Sequence, residues 1–195
     1  MGVKIGNIDV SYFKVGVSDC SIYLGDTLLY PTTQVSLKYT FTLTDDSVVS
    51  GECDASSAIT SGETSAYQTT LKEVEIGDCT TSIGNGAFSG CTSITSIDIP
   101  DSVTSIGRNT FDNCSSLTSV TIGSGVTSIG DGAFTYCFGL ASVTVNAITP
   151  PTLGTRTFYK INNFTIYVPA QSVQTYKAAT NWSTYASRIQ AIPNS

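Results

Sequence analysis

The feature that most constrains this chain is a period of 23 residues running through its middle. Ser82-Ile83-Gly84, Ser105-Ile106-Gly107 and Ser128-Ile129-Gly130 follow it, as do Phe88, Phe111 and Phe134, and Cys91, Cys114 and Cys137. The same period links Ile94, Leu117 and Leu140; Ile97, Val120 and Val143; and Ile99, Ile122 and Val145. One step upstream, Leu71, Val74 and Ile76 occupy the matching phases. So many coincident positions at one period are the mark of a repeat architecture. A single unit buries too little apolar surface to be stable, so successive coils must stack and share a continuous core.

Within each unit the pattern L-x-x-V-x-I ends in an alternation that suits a strand with one buried face. Pro100 and Gly123 close two such strands with turn chemistry. Ala-Phe-x-x-Cys spaces Phe and Cys by three, which fits one helical or 3-10 turn. Stacked coils then repeat at the strand spacing of about 4.8 Å, with Ile97, Val120 and Val143 in one buried column. Hydrophobic residues make up 41% of the 195, enough for a sizeable core. Only 12% are charged, about half the usual share, so the polar surface falls to Thr, Ser, Asn and Gly. Thr favours strands and Gly favours turns, which again suits tightly wound β structure.

These S-I-G, A-F and C landmarks resemble the leucine-rich repeats of the BspA type, also called the Treponema pallidum type, over residues 70–168. The resemblance implies a mostly β, right-handed solenoid with parallel strands on one face. In bacteria it implies a protein that is often surface-displayed and adhesive. After Val145 the pattern continues with a small slip through Phe158, Phe164, Ile166 and Val168, until Pro169 closes it. Residues 170–180, with Val173, Tyr176 and Ala179, read as a short helix with one apolar face. With Trp182, Tyr185 and Ile189 they form a C-terminal helical cap over residues 169–195, covering the edge a terminal coil exposes. This ending is similar to one common in gut-bacterial proteins of the same family.

Residues 1–69 leave the repeat. Ile22, Tyr23, Leu24, Leu28, Leu29 and Tyr30 surround Gly25-Asp26, and together read as a β-hairpin with a two-residue turn. Pro31-Thr32-Thr33 reads as a linker. Tyr39, Phe41 and Leu43 alternate as a strand, Asp45-Asp46 is the turn into Val48-Val49, and residues 56–70 read as loop. The expected division is therefore an attachment hairpin over 1–34, a β-rich N-terminal cap over 35–69, the solenoid over 70–168, and the C-terminal cap. The hairpin is similar to short segments in structural proteins of phages that infect gut Bacteroides. The N-terminus has no long apolar signal region, and the expectation is that the chain stays where it is made. An isolated hairpin is marginal in water, so residues 1–34 are expected to dock on other virion proteins or identical subunits.

Chemistry is sparse. The chain contains no His, which removes Ser-His-Asp and Cys-His catalysis and the commonest metal ligand. The six Cys include no C-x-x-C pair, so neither a metal centre nor a cofactor is expected. Cys91, Cys114 and Cys137 read as buried free thiols. Cys20, Cys53 and Cys79 read as free as well, and could pair only in an oxidising compartment. The net charge of −6, without any basic run, argues against nucleic acid and against a polybasic membrane contact. No stretch approaches the roughly 20 apolar residues that span a bilayer.

Candidate binding residues lie in two groups. Glu73, Glu75, Ser96, Asp98, Ser119 and Thr121 project from the strands opposite the core. Two carboxylates there could serve a glycosidase, but nothing nearby would tune one as an acid, and a solvated face is the preferred reading. Tyr136 and Phe138 flank Cys137 at phases held by small or polar residues in earlier coils. They either pack beneath the C-terminal cap, the preferred reading, or meet a partner. Together these features point to a non-enzymatic phage structural or display protein located on the virion. The alternative is a bacterial cell-surface adhesin for host protein or glycan, and an enzyme acting on polysaccharide ranks last.

Overall fold

A computed structural model describes residues 37–52 and 58–193, together with the backbone of residues 3–5, 8–10, 23–24 and 27–28. At the N-terminus β1 (Val3–Ile5) pairs antiparallel with β2 (Ile8–Val10), a pairing that sequence patterns did not suggest. β3 (Tyr23–Leu24) pairs antiparallel with β4 (Thr27–Leu28), Leu24 facing Thr27, as the two-residue hairpin requires. Ile22, Leu29, Tyr30, the linker at 31–33, Cys20 and Cys53 lie outside the described residues.

Next comes an antiparallel sheet in the order β6-β5-β8, formed by β5 (Leu37–Leu43), β6 (Val48–Glu52) and β8 (Leu71–Ile76). The alternation in β5 buries Phe41 and Tyr39, whose rings stack at 4.1 Å. Phe41 also meets Phe88 edge-on at 6.0 Å, which joins this sheet to the repeat core. The expected turn at Asp45-Asp46 is present, and Asp45 accepts hydrogen bonds from the Ser47 amide and hydroxyl.

Two expectations need correction here. Leu71–Ile76 lies beside the first coil but pairs antiparallel with β5, outside the parallel sheet. Leu71 and Val74 share a face of this strand because a bulge at Lys72 reverses the alternation, leaving Leu71 opposite Leu43 and Glu73 opposite Thr42. The stretch read as loop also contains β7 (Ala58–Ile59), the short helix α1 (Ser61–Thr64) and a 3-10 turn over Ser65–Tyr67. Its signal was a Thr60-x-x-Glu63 capping box, in which Glu63 accepts the Thr60 amide at 2.7 Å. The other carboxylate oxygen of Glu63 meets the buried Lys38 ammonium at 2.8 Å.

The coils have three sides. One is a parallel sheet of β10 (Ser96–Ile99), β12 (Ser119–Ile122), β14 (Ser142–Val145), β16 (Thr165–Val168) and β17 (Ile189–Ala191). Ile97 pairs with Val120 and Val120 with Val143, all buried, as the column requires. A second parallel sheet joins β7 to the S-I-G strands β9 (Ser82–Ile83), β11 (Ser105–Ile106) and β13 (Ser128–Ile129), and then to β15 (Thr152–Leu153). On the third side, amides of one coil donate to carbonyls of the next, as Phe88 to Thr110, Phe111 to Ala133 and Phe134 to Thr157. Threonine hydroxyls add rungs: Thr104 donates to Thr81, Thr127 to Thr104, and Thr118 to Thr95, each a carbonyl 23 residues earlier. The Thr-rich composition is thus part of the stacking.

The core is a ladder of rings. Phe88, Phe111, Phe134 and Phe158 stack at 5.3, 5.2 and 5.5 Å with nearly parallel planes. Beside them Cys91, Cys114 and Cys137 are buried and unbonded, as expected. The thiols of Cys114 and Cys137 donate to the Phe88 and Phe111 carbonyls. Burial pushes Cys91 and Cys137 up to about 12, and Cys114 further still. Cys79 departs from the free-thiol expectation, being disulfide-bonded.

At the C-terminal end α2 (Val173–Ala178) is the expected helix. Its buried Tyr176 donates to the Ala147 carbonyl, and the Trp182 indole to the Pro151 carbonyl, both at 2.7 Å. The cap is not purely helical. β17 adds a further parallel strand, with Ile189 beside Ile166, so the repeat sheet runs past residue 168.

Candidate binding site

The third side of the coils turns through the left-handed region twice per coil. The first position is Gly86, Asn109, Gly132 and then Arg156; the second is Gly90, Asn113, Tyr136 and then Lys160. Gly and Asn suit positive φ, whereas an ordinary L side chain there costs roughly 1–2 kcal/mol. The early coils meet this demand with small residues. The last two place Tyr136 at φ 59°, Arg156 at 55° and Lys160 at 66°. Residues held in such sparsely populated backbone regions cluster where a side chain has work to do.

Those residues meet on one surface. The Tyr136 ring lies 5.8 Å from Phe138 and meets Tyr159 edge-on at 6.1 Å. All three are exposed, Phe138 at 63%. The Arg156 guanidinium sits 5.8 Å and the Lys160 ammonium 5.3 Å from the Tyr159 ring centre, within cation–π range. Three of the nine Lys and Arg residues in the chain, Arg108, Arg156 and Lys160, therefore gather here, on a protein of net charge −6.

A concavity of about 410 Å³ beside the rings is lined by Tyr136, Tyr159, Arg156, Arg108, Asp112 and Asp131 among others. Asp131 is engaged: it accepts the Thr155 amide at 2.7 Å and hydroxyl at 3.0 Å, which hold its carboxyl below the usual range, and Arg108 approaches to 3.9 Å. Burial shifts Asp112 the other way, raising it. The wall is a mixed polar and aromatic groove running across the coils.

The two sequence-derived groups fare differently. Glu73, Glu75, Ser96 and Asp98 are exposed, and Ser119 and Thr121 half-buried, as a solvated strand face should be. Ser96, Asp98, Ser119 and Thr121 lie on the parallel-sheet side of the coils and Glu73 and Glu75 on the antiparallel sheet, and none of the six lines the concavity beside the aromatic cluster. Tyr136 and Phe138 do not pack beneath the C-terminal cap. That space is filled by Phe164, Trp182 and Tyr185 around Phe158, which leaves the two rings in solvent and favours the partner contact.

Sequence reading missed Tyr159, Arg156, Lys160 and Arg108. The signal was available. Phe134 to Phe158 and Gly130 to Gly154 both span one residue more than the period. Allowing that single insertion sets Arg156 at the Gly132 phase, Tyr159 at the Thr135 phase and Lys160 at the Tyr136 phase. Three large side chains then stand where small ones are the rule.

Among the described residues, no cluster of His, Cys, Asp and Glu side chains could hold a metal ion, and no helix is long and apolar enough to cross a membrane. No curated protein matches the chain. The BspA type leucine rich repeat region matches residues 60–184 in six copies. The stacked parallel coils, their phenylalanine and cysteine ladders and this match together place the chain in the BspA-type leucine-rich-repeat family.

Proposed function

We propose that this chain is a non-enzymatic binding module whose coils, wound right-handed, carry the Tyr136–Phe138–Tyr159 surface to a protein partner. Leucine-rich repeats are scaffolds for protein binding, which is the coarse role membership supports. Right-handed winding is the usual hand of a parallel β crossover. The observation that carries the reading is the replacement of Gly and Asn by Tyr136, Arg156 and Lys160 at left-handed positions. A chain that needed only a solenoid would keep small residues there. Exposed aromatics with Arg beside them match the composition of interface hot spots.

For its setting we propose display on a phage particle, with residues 1–34 as the attachment. The support is the likeness of the I-Y-L-G-D-T-L-L-Y hairpin to phage structural proteins, and the antiparallel pairing of β3 with β4. Quantitative mass spectrometry of purified particles and of cell fractions tests this. The chain co-purifying with particles, and losing that association on deletion of residues 1–34, is the expected result. Recovery in the bacterial surface fraction would favour the adhesin alternative, and recovery in neither would overturn both.

A further inference from the structure

We propose that the groove beside Tyr159 recognises an acidic segment of a protein partner, a carboxylate seated between Arg156 and Lys160 with a neighbouring apolar side chain on Phe138 and Tyr136. This deepens the binding role proposed above and rests on it.

Among the described residues, Lys38 has Glu63, Lys72 has Asp46 and Arg108 has Asp131 as carboxylate partners within 4 Å. Arg156 and Lys160 have none among the described residues, and both lean on the same Tyr159 ring. Two like charges sharing one ring repel each other, and the ring's negative face offsets that only in part. A carboxylate arriving between them relieves the repulsion and gains charge-assisted hydrogen bonds, bidentate where Arg supplies them.

Backbone geometry adds to this. Both cations sit at positive φ, where the rigid third-side ladder holds the chain: Tyr136 donates to the Tyr159 carbonyl at 3.1 Å, and Tyr159 to the Arg156 carbonyl at 3.0 Å. Their stems start from fixed points, so less freedom is lost on binding.

Neither carboxylate of the groove pairs with Arg156 or Lys160. Asp112 is two coils before Lys160, about 10 Å away at the strand repeat, and Asp131 is committed to Thr155 and Arg108. The groove is thus polar along its length, Arg156 and Lys160 both lie against Tyr159 at its edge, and the rings there give an apolar residue somewhere to pack. An acidic residue next to an aromatic or aliphatic one fits both features; a basic peptide fits neither.

The test is selection of a surface-displayed random peptide library on the intact chain, followed by fluorescence anisotropy with an enriched synthetic peptide. Enrichment of Asp or Glu adjacent to Phe, Trp, Tyr or Leu is expected. Added salt should weaken the peptide's binding, and Arg156→Glu with Lys160→Glu should weaken it about tenfold or more, the scale of losing a charged interface pair. Both side chains are exposed, so this variant folds, which circular dichroism checks. Enrichment of basic or uncharged sequences, or binding indifferent to the double charge reversal, would overturn the acidic-segment proposal. If Phe138→Ala still abolished that binding, the surface would stand as a binding site and only its chemistry would fall. If neither variant mattered, the site itself would fall with it.

Discussion

Gly130→Ala tests the idea that the S-I-G glycines let coil backbones touch. Gly130 is not at positive φ, so alanine is conformationally allowed; what forbids it is the coil beneath. A Cβ built there would lie 2.6 Å from the Gly107 carbonyl carbon and 2.7 Å from the Arg108 amide nitrogen. Side-chain carbons essentially never approach closer than 3.0 Å, so the two coils must part by at least about 0.4 Å. The same residue donates to the Ile106 carbonyl at 2.8 Å, and that shift carries the bond to the edge of the favourable range. Overpacking of this kind costs about 1–3 kcal/mol. Reduced freedom of the unfolded chain returns roughly 0.4–1 kcal/mol. A net loss of about 1.3 kcal/mol, the midpoint of those ranges, lowers Tm by about 3–5 °C in a protein of this size. Gly62→Ala is the control, since its Cβ would meet nothing nearer than Thr60 Oγ1 at 3.6 Å. Thermal melts followed by circular dichroism read both. If Gly130→Ala melted with or above wild type, backbone contact would not be what keeps glycine at that phase.

Phe111→Ala removes a middle ring of the phenylalanine ladder and should cost about 3–5 kcal/mol in chemical denaturation; Phe138→Ala, 63% exposed, should cost within about 0.5 kcal/mol. Arg156→Gly releases a left-handed arginine and should gain up to about 1 kcal/mol, read as a Tm rise; a fall would show that its side chain stabilises the fold. The three ladder thiols should resist alkylation in the native state and react once unfolded, because burial raises them. Since their folded values lie above those of the unfolded chain, the stability they contribute is fully present below about pH 8.5. It is lost as pH rises toward about 12, by up to about 1.4 kcal/mol per thiol per pH unit, and flat stability across that range would contradict their burial.

Legibility followed the period. Where the 23-residue phase held, one sequence position reported one column: Ile97, Val120 and Val143 lie side by side, and so do the rings and thiols. The phase misled at Leu71–Ile76, because periodicity records which residues face the core and not which strand they pair with. A bulge let an antiparallel partner of β5 imitate a repeat strand. The loop expected before it hid α1, whose four residues carry no apolar period and announce themselves only through Thr60 and Glu63. β17 was hidden for the opposite reason, since Ile189 keeps the register of Ile166 while its neighbours lack the repeat's landmarks.

The binding surface was half legible, and the reason is physical. In a stacked array, backbone conformation is inherited from coil to coil through the ladder bonds, so a left-handed position stays left-handed whatever side chain occupies it. Gly86 and Asn109 accept that conformation; Arg156 endures it. Tyr136 and Phe138 stood out in sequence because their coil keeps the exact spacing, but the next coil gained one residue before Gly154 and shifted the phase through Phe158, until the register returned at Thr165. Without the fold to restore alignment, Arg156, Tyr159 and Lys160 look like ordinary polar loop. With it, Arg156 and Lys160 occupy left-handed backbone sites of the solenoid with Tyr159 between them, at the end where the repeat is otherwise decaying. In a repeat protein the informative residues are those that break a rule their backbone still obeys, and here they gather around the Tyr159 ring.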